Sequence, residues 1–240
     1  MSDYTPPPPP GDVPPPPGMP PGPGSPPPPG PSGAPLDAGA AISYGWNGFT
    51  RNAGALILIA LVVVLVSFGL SLAGQWILDS WVIVMVWNIF TTVVSLILAM
   101  GLIRAALAVV DGRSPEVGML FQTEGLVPYL IASILVGLAV GVGFLLCIIP
   151  GLILAFLFAF YGYAIVDGRT DDGIEAMKMS WQLVSANVGS LLLLFILTLL
   201  INFAGALLCG IGLFVTYPIT AIAVAYAWRR LSGGSVVEMA

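Results

Sequence analysis

The chain has 240 residues, of which 58% are hydrophobic and 8% charged, and a net charge of −5; soluble domains run nearer roughly 45–50% apolar and about 25% charged. A mean hydropathy of +0.99 excludes a water-soluble globular fold, because a compact domain could not hide that much apolar surface. Seven basic residues and no histidine leave no basic patch for nucleic acid and remove the commonest general base and metal ligand.

Residues 1–36 hold every proline except Pro115, Pro128, Pro150 and Pro218. Proline fixes φ and lacks an N–H donor, so the runs at 6–10, 14–17 and 26–29 predict polyproline II segments jointed at glycines, in a disordered tail that builds no core. The tail has neither the basic nor the apolar region of a signal peptide. It reads either as a spacer or as a docking segment for a cytoplasmic protein partner that binds polyproline.

From 37 the pattern changes. Asp37 is placed as an N-cap, and Ile42, Trp46 and Phe49 share a helical face. This predicts an interfacial amphipathic helix over 37–52, with Trp46 at headgroup depth and Arg51 toward water. A first span follows at about 53–74, then a polar turn containing Gln75 and Asp79 between Trp76 and Trp81. The second span, about 81–105, extends helically to 110 and carries Arg104 near its end.

A second unit opens with V-D-G-R-S at 110–114 and has a short amphipathic element with Val117, Leu120 and Phe121. Its spans fall at about 126–146 and 151–166, joined by a tight hairpin with Pro150 at a helix start. The third unit opens with Thr170, Asp171 and Asp172. There Asp172 and Glu175 resemble a capping box, and Ile174, Met177, Trp181 and Val184 predict a buried stripe. A fifth span at about 188–208 and a sixth at about 213–228 complete the pattern.

The units share sequence. A-I-S-Y-G-W-N-G-F-T-R-N-A-G at 41–54 matches A-M-K-M-S-W-Q-L-V-S-A-N-V-G at 176–189, and V-V-D-G-R-S at 109–114 matches I-V-D-G-R-T at 165–170. The fold class predicted is therefore an all-α polytopic membrane protein. Six transmembrane helices are arranged as three repeats of an amphipathic helix plus a helical hairpin, at about 37–110, 111–167 and 168–232, with a short tail at 233–240. With six spans, all seven basic residues (Arg51, Arg104, Arg113, Arg169, Lys178, Arg229 and Arg230) fall on one side. The positive-inside rule then puts both termini in the cytoplasm of a plasma (inner) membrane protein. The repeats are parallel, unlike the inverted repeats of many ion-coupled carriers.

Residues with chemistry are few. Arg113 and Arg169, in the two D-G-R turns, could contact a lipid-headgroup phosphate; the same turns read equally as capped, solvated helix starts in which each Asp neutralises its Arg. Asn88 and Asn202 are the strongly polar side chains of the spans. They are candidates for lining a bundle interior or for interhelical hydrogen bonds. The G-x-x-x-G at 137–141 lets two helices approach closely, as internal packing or as a dimer seam. Cys147 and Cys209 each follow two leucines at a hairpin tip, which suits either an oxidised bridge or two unpaired small apolar residues. No Ser-His, Cys-His or metal-ligand constellation and no phosphate loop is present, so no catalytic, cofactor or metal residues are assigned.

Three segments carry a family resemblance: I-P-G-L-I-L-A-F at 149–156, A-I-V-D-G at 164–168 and E-A-M-K-M-S-W at 175–181. They resemble the membrane domain found beside some bacterial glycerophosphodiester phosphodiesterases and in related six-span proteins, and tail plus domain is similar to proline- and glycine-rich actinobacterial transmembrane proteins. The phosphodiesterase activity of those fusions belongs to a soluble domain that uses histidines and metal-binding acids, so the resemblance implies no activity or functional residue here. The expectation is a non-enzymatic scaffold or tether among membrane lipids. Its alternative is a transporter or lipid-handling protein with the bundle interior as substrate path.

Overall fold

The computed structural model describes residues 36–75, 80–208 and 210–238. The expectations for the proline-rich tail, for the turn holding Trp76 and Asp79, and for Cys209 lie outside the described residues. Leu36, grouped with the tail by composition, is buried in the main core.

The described residues form eight α-helices and one 3₁₀ turn: α1 (Ala38–Gln75), α2 (Trp81–Val110), the 3₁₀ turn (Val117–Phe121), α3 (Leu126–Leu146), α4 (Ile148–Leu157), α5 (Tyr161–Val166), α6 (Gly173–Ala186), α7 (Val188–Leu207) and α8 (Leu213–Leu231). Among the described residues five segments are long and apolar enough to cross a membrane, namely α1, α2, α3, α4 with α5 (Ile148–Val166), and α7. They mark the chain as a membrane protein. The residues expected to form a sixth span are helical, as α8. That helix is not among the five by length and composition; it carries Thr216, Thr220, Tyr217 and Tyr226 and ends in Arg229 and Arg230. It can be more polar because protein surrounds it: α8 packs against α1, α2 and α7, burying Ile219, Ile222, Ala223, Ala225, Ala227 and Trp228.

The amphipathic segment and first span expected in tandem are one continuous element kinked at Asn52, whose backbone leaves helical geometry (φ −121°, ψ 20°). The corresponding break between α6 and α7 falls at Asn187 (φ −131°, ψ 30°). Each asparagine side chain bends back to a carbonyl of its own helix, Asn52 Nδ2 to Gly48 O at 3.1 Å and Asn187 Nδ2 to Leu183 O at 2.9 Å. These groups occupy equivalent positions of the matching 14-residue strings. Gly45 and its counterpart Ser180 are both buried, while Trp46 and Trp181 are both exposed.

The packing face of α6 differs from the expected stripe. In α6 the buried residues are Gly173, Ala176, Ser180 and Val184. Of the predicted stripe only Val184 is buried, whereas Ile174 and Trp181 are exposed. In α1, Ala38, Ala41, Tyr44, Gly45, Gly48 and Phe49 are buried and Trp46 is not. Small residues let backbones approach: a Cβ at Gly45 would collide with the carbonyl of Ile219 on α8, and one at Gly173 would lie 2.8 Å from Pro128 O. Helices in lipid gain nothing by hiding large apolar side chains, so close backbone packing decides which face turns inward.

The same rule corrects the glycine pair as an internal contact. Gly137 and Gly141 are exposed with open space beside them, and the close approach is made at the α3–α4 hairpin, where a Cβ at Gly143 would stand 2.8 Å from Gly151 Cα. The capping box at α6 is also rearranged. Asp172 Oδ1 accepts from Ile174 N at 2.8 Å, but Glu175 pairs with the Thr170 hydroxyl at 2.6 Å, and the Asp172 N–H donates to Thr170 Oγ1 at 3.1 Å.

The fourth span, expected as one helix over 151–166, is interrupted between Leu157 and Tyr161. Ser180, fully buried on α6, occupies the gap: its hydroxyl donates to Leu157 O at 2.8 Å and accepts from Phe160 N at 3.0 Å. Backbone groups freed in apolar surroundings must find partners within the protein, and α6 supplies one for each.

Candidate functional site: a charged knot at one end of the bundle

Helices α2, α5 and α8 end in the same way. After each comes a residue that bonds back four positions, then a glycine with positive φ, then a third amide that reaches the helix again. The triplets are Asp111-Gly112-Arg113, Asp167-Gly168-Arg169 and Ser232-Gly233-Gly234, with glycine φ of 74°, 69° and 75°. Asp111 N, Asp167 N and Ser232 N donate to Leu107 O, Tyr163 O and Trp228 O, and the third residues donate to Ala108 O, Ala164 O and Arg229 O. These are αL helix stops that satisfy the last carbonyls, and glycine takes the left-handed position without a Cβ clash.

The three ends meet through side chains. Arg229, the residue of α8 equivalent to Ala108 and Ala164, reaches Asp111 Oδ2 at 2.9 Å and Asp167 Oδ1 at 2.5 Å. Asp167 also accepts from Trp228 Nε1 at 3.1 Å and pairs with Arg169 at 3.0 Å. Arg169 continues to Ser232, donating to its carbonyl at 3.1 Å and its hydroxyl at 3.2 Å. Among the described residues Arg113 pairs only with Asp111 of its own turn, at 3.0 Å, and its side chain is 65% exposed. That of Asp167 is 4% exposed. The knot sits on an aromatic floor in which Trp228 lies 6.0 Å from the Phe160 ring and 6.3 Å from that of Tyr163.

The start of α1 and the stretch around Val237 meet the end of α2 on the same side. The Tyr44 hydroxyl donates to Val237 O at 3.0 Å and Val110 O at 3.3 Å, and Val237 N donates to Val110 O at 3.2 Å. Arg104, near the end of the second span, donates to the carbonyls of Gln122 and Glu124 and holds the loop before α3.

Of the residues singled out from the sequence, Arg113 and Arg169 thus belong to one cluster. Asn88 and Asn202 do not come together. Asn88 is exposed on α2, its amide donating to Val84 O of its own helix at 2.8 Å. Asn202 lies between α7 and α8, donates to Thr220 Oγ1 at 3.0 Å, and leaves its Oδ1 buried without a partner. Cys147 is exposed at the α3–α4 turn. An apolar cavity among α1, α2 and α8 measures about 20 Å³, room for little more than a water molecule. Among the described residues no group of three or more His, Cys, Asp or Glu could hold a metal ion. Chemically, the knot consists of carboxylates neutralised by guanidinium groups, and nothing in it pairs a nucleophile with a base.

The model of a family described as a domain of unknown function, DUF7847, matches residues 116–240. The chain belongs to the DUF7847 family. The DUF7847 match takes in Asp167, Arg169, Arg229 and Ser232 of the knot, while Asp111 and Arg113 precede it. Among curated proteins, the chain is 31% identical to the uncharacterized protein Rv2560 of Mycobacterium tuberculosis, over 82% of this chain and 69% of that protein. It is likewise 31% identical, with the same coverage, to the uncharacterized protein Mb2590 of Mycobacterium bovis. These relatives agree with the expected likeness to uncharacterised actinobacterial proteins. No solved structure matches the chain.

Proposed function

We propose that this DUF7847 chain is a non-enzymatic scaffold or tether of the plasma (inner) membrane. It crosses six times as three parallel units, keeps both termini in the cytoplasm, and uses the proline-rich segment before Leu36 to dock a protein partner. The observation that carries the reading is the bridge from Arg229 to Asp111 and Asp167. Asp111, Asp167, Arg169 and Arg229 are engaged in joining the three units, as a rigid platform requires, while Arg113 pairs within its own turn. Counting α8 as a crossing beside the five apolar spans makes an even number, and the reading is supported by the fact that all seven basic residues then share one side. The resemblance to the membrane domain beside glycerophosphodiester phosphodiesterases is proposed as a likeness of fold alone.

The test is affinity purification in mild detergent of the full chain beside a version that starts at Leu36, which keeps that buried residue. A protein partner recovered only with the full chain is expected, and identical recoveries from both would overturn the reading. Asn202 favours a second reading, transport or lipid handling, because its Oδ1 is an unmet acceptor inside the bundle. Under that reading Asn202→Leu abolishes transport of an amphiphile in reconstituted vesicles, whereas a packing role for Asn202 leaves any such transport intact.

A further inference from the structure

The interruption of the fourth span opens a groove between Phe158 and the outer face of α6, with a volume of about 300 Å³, lined by Phe158, Ile174, Met177, Lys178, Trp181 and Gln182. This is at the lower end of the ~300–1,000 Å³ range of ligand pockets. Phe158 and Trp181 form one wall, their ring centroids 5.9 Å apart. Ile174 and Trp181 remain exposed, and Lys178 stands between them at helical spacings of four and three, on the same face.

Lys178 is the sole lysine of the chain. No described carboxylate lies within ion-pair distance of it, in contrast to Arg113, Arg169 and Arg229. Glu175, one turn earlier on the helix, is held by the Thr170 hydroxyl. The groove therefore combines an apolar floor, an interfacial tryptophan and one unneutralised cation at its rim. A basic rim on an apolar groove beside a membrane span complements a lipid whose headgroup is negative and whose chains are apolar.

We infer that this groove binds an anionic phospholipid of the bilayer, with the acyl chain along Phe158, Ile174 and Trp181 and the headgroup phosphate at Lys178. The site is separate from the charged knot and does not depend on the tethering role. The test is native mass spectrometry of the full chain in detergent, titrated with phosphatidylglycerol and with phosphatidylcholine of matched chains. Phosphatidylglycerol is expected to bind more tightly, and Lys178→Gln to reduce that preference about five-fold, the worth of one cation at a charged lipid surface. Trp181→Ala is expected to weaken both lipids, and Arg113→Gln to change neither. Both altered groove residues are exposed, so each variant should keep the wild-type elution profile and thermal transition. Equal binding of the two lipids by the wild-type chain, an undiminished preference in Lys178→Gln, or a two-chain species that Trp181→Ala dissociates, marking the groove as a self-association surface, would each overturn the assignment.

Discussion

Arg229 holds two carboxylates that lie 118 and 62 residues earlier in the chain, and its own side chain is 17% exposed. Removing one partner of a largely buried ion pair leaves the other charges desolvated and unmatched, at a cost of about 3–5 kcal/mol. Arg229→Gln is accordingly expected to lower the thermal transition of the detergent-solubilised protein sharply. Arg113→Gln, which breaks an exposed pair within one turn, should cost no more than about 1 kcal/mol. Comparable losses from the two variants would contradict a central role for Arg229. Its role was legible in part. Aligning the three helix ends puts Arg where the first two units have Ala, and Ser where they have Asp, a complementary exchange of charge. Reading each D-G-R turn as self-neutralised hid it, because that reading uses neighbours in sequence and not neighbours in space. Ser180 makes the opposite case. Ser180→Ala leaves Leu157 O and Phe160 N without their partner, for about 1–3 kcal/mol, visible as a lower melting temperature. A serine in a helical string carries no mark that it will mend a break 20 residues away.

At the scale of helices, the spans were legible because run length decides them: α3 and α7 begin where the apolar runs begin, and the kink at Asn52 falls where polar sequence gives way to apolar. The inward faces were not. Amphipathic reasoning assumes water outside, so it turns large apolar residues inward. Where the surroundings are hydrocarbon the contest is between packing geometries, and Ala41, Gly45 and Ala176 turn inward while Trp46 and Trp181 do not. Two glycines two residues apart test this. Gly143→Ala forces a methyl against Gly151 and is expected to destabilise the hairpin by about 1–3 kcal/mol. Gly141→Ala, with nothing within 4 Å of the new Cβ, should be neutral to within about 0.5 kcal/mol. Thermal unfolding of the two variants side by side decides it, and equal effects would count against Gly143 as the contact.

For the molecule as a whole, the knot joins the ends of α2, α5 and α8, so those ends share one side of the bundle. The proposed topology adds that this side faces the cytoplasm. Reporter fusions at both termini are then expected to be active only as cytoplasmic reporters, and opposite signals at the two ends would require an odd number of crossings. The relation between the 14-residue strings at 41–54 and 176–189 was visible as letters, and the matched breaks at Asn52 and Asn187 give it a physical form.

One consequence of the knot concerns the order in which the protein is made. Translation delivers Asp111 and Asp167 long before Arg229, so a growing chain carries two acids whose shared counter-ion has not yet been synthesised. The ion pairs that join the three helix ends can form only once α8 has been made, so the knot closes after the helices it ties together. Chains stopped after Gly212 are expected to enter the membrane yet be degraded faster than full-length chains in a pulse–chase, and full-length Arg229→Gln should share their short lifetime. If both persisted like the wild type, the late arrival of Arg229 would have no bearing on survival in the cell.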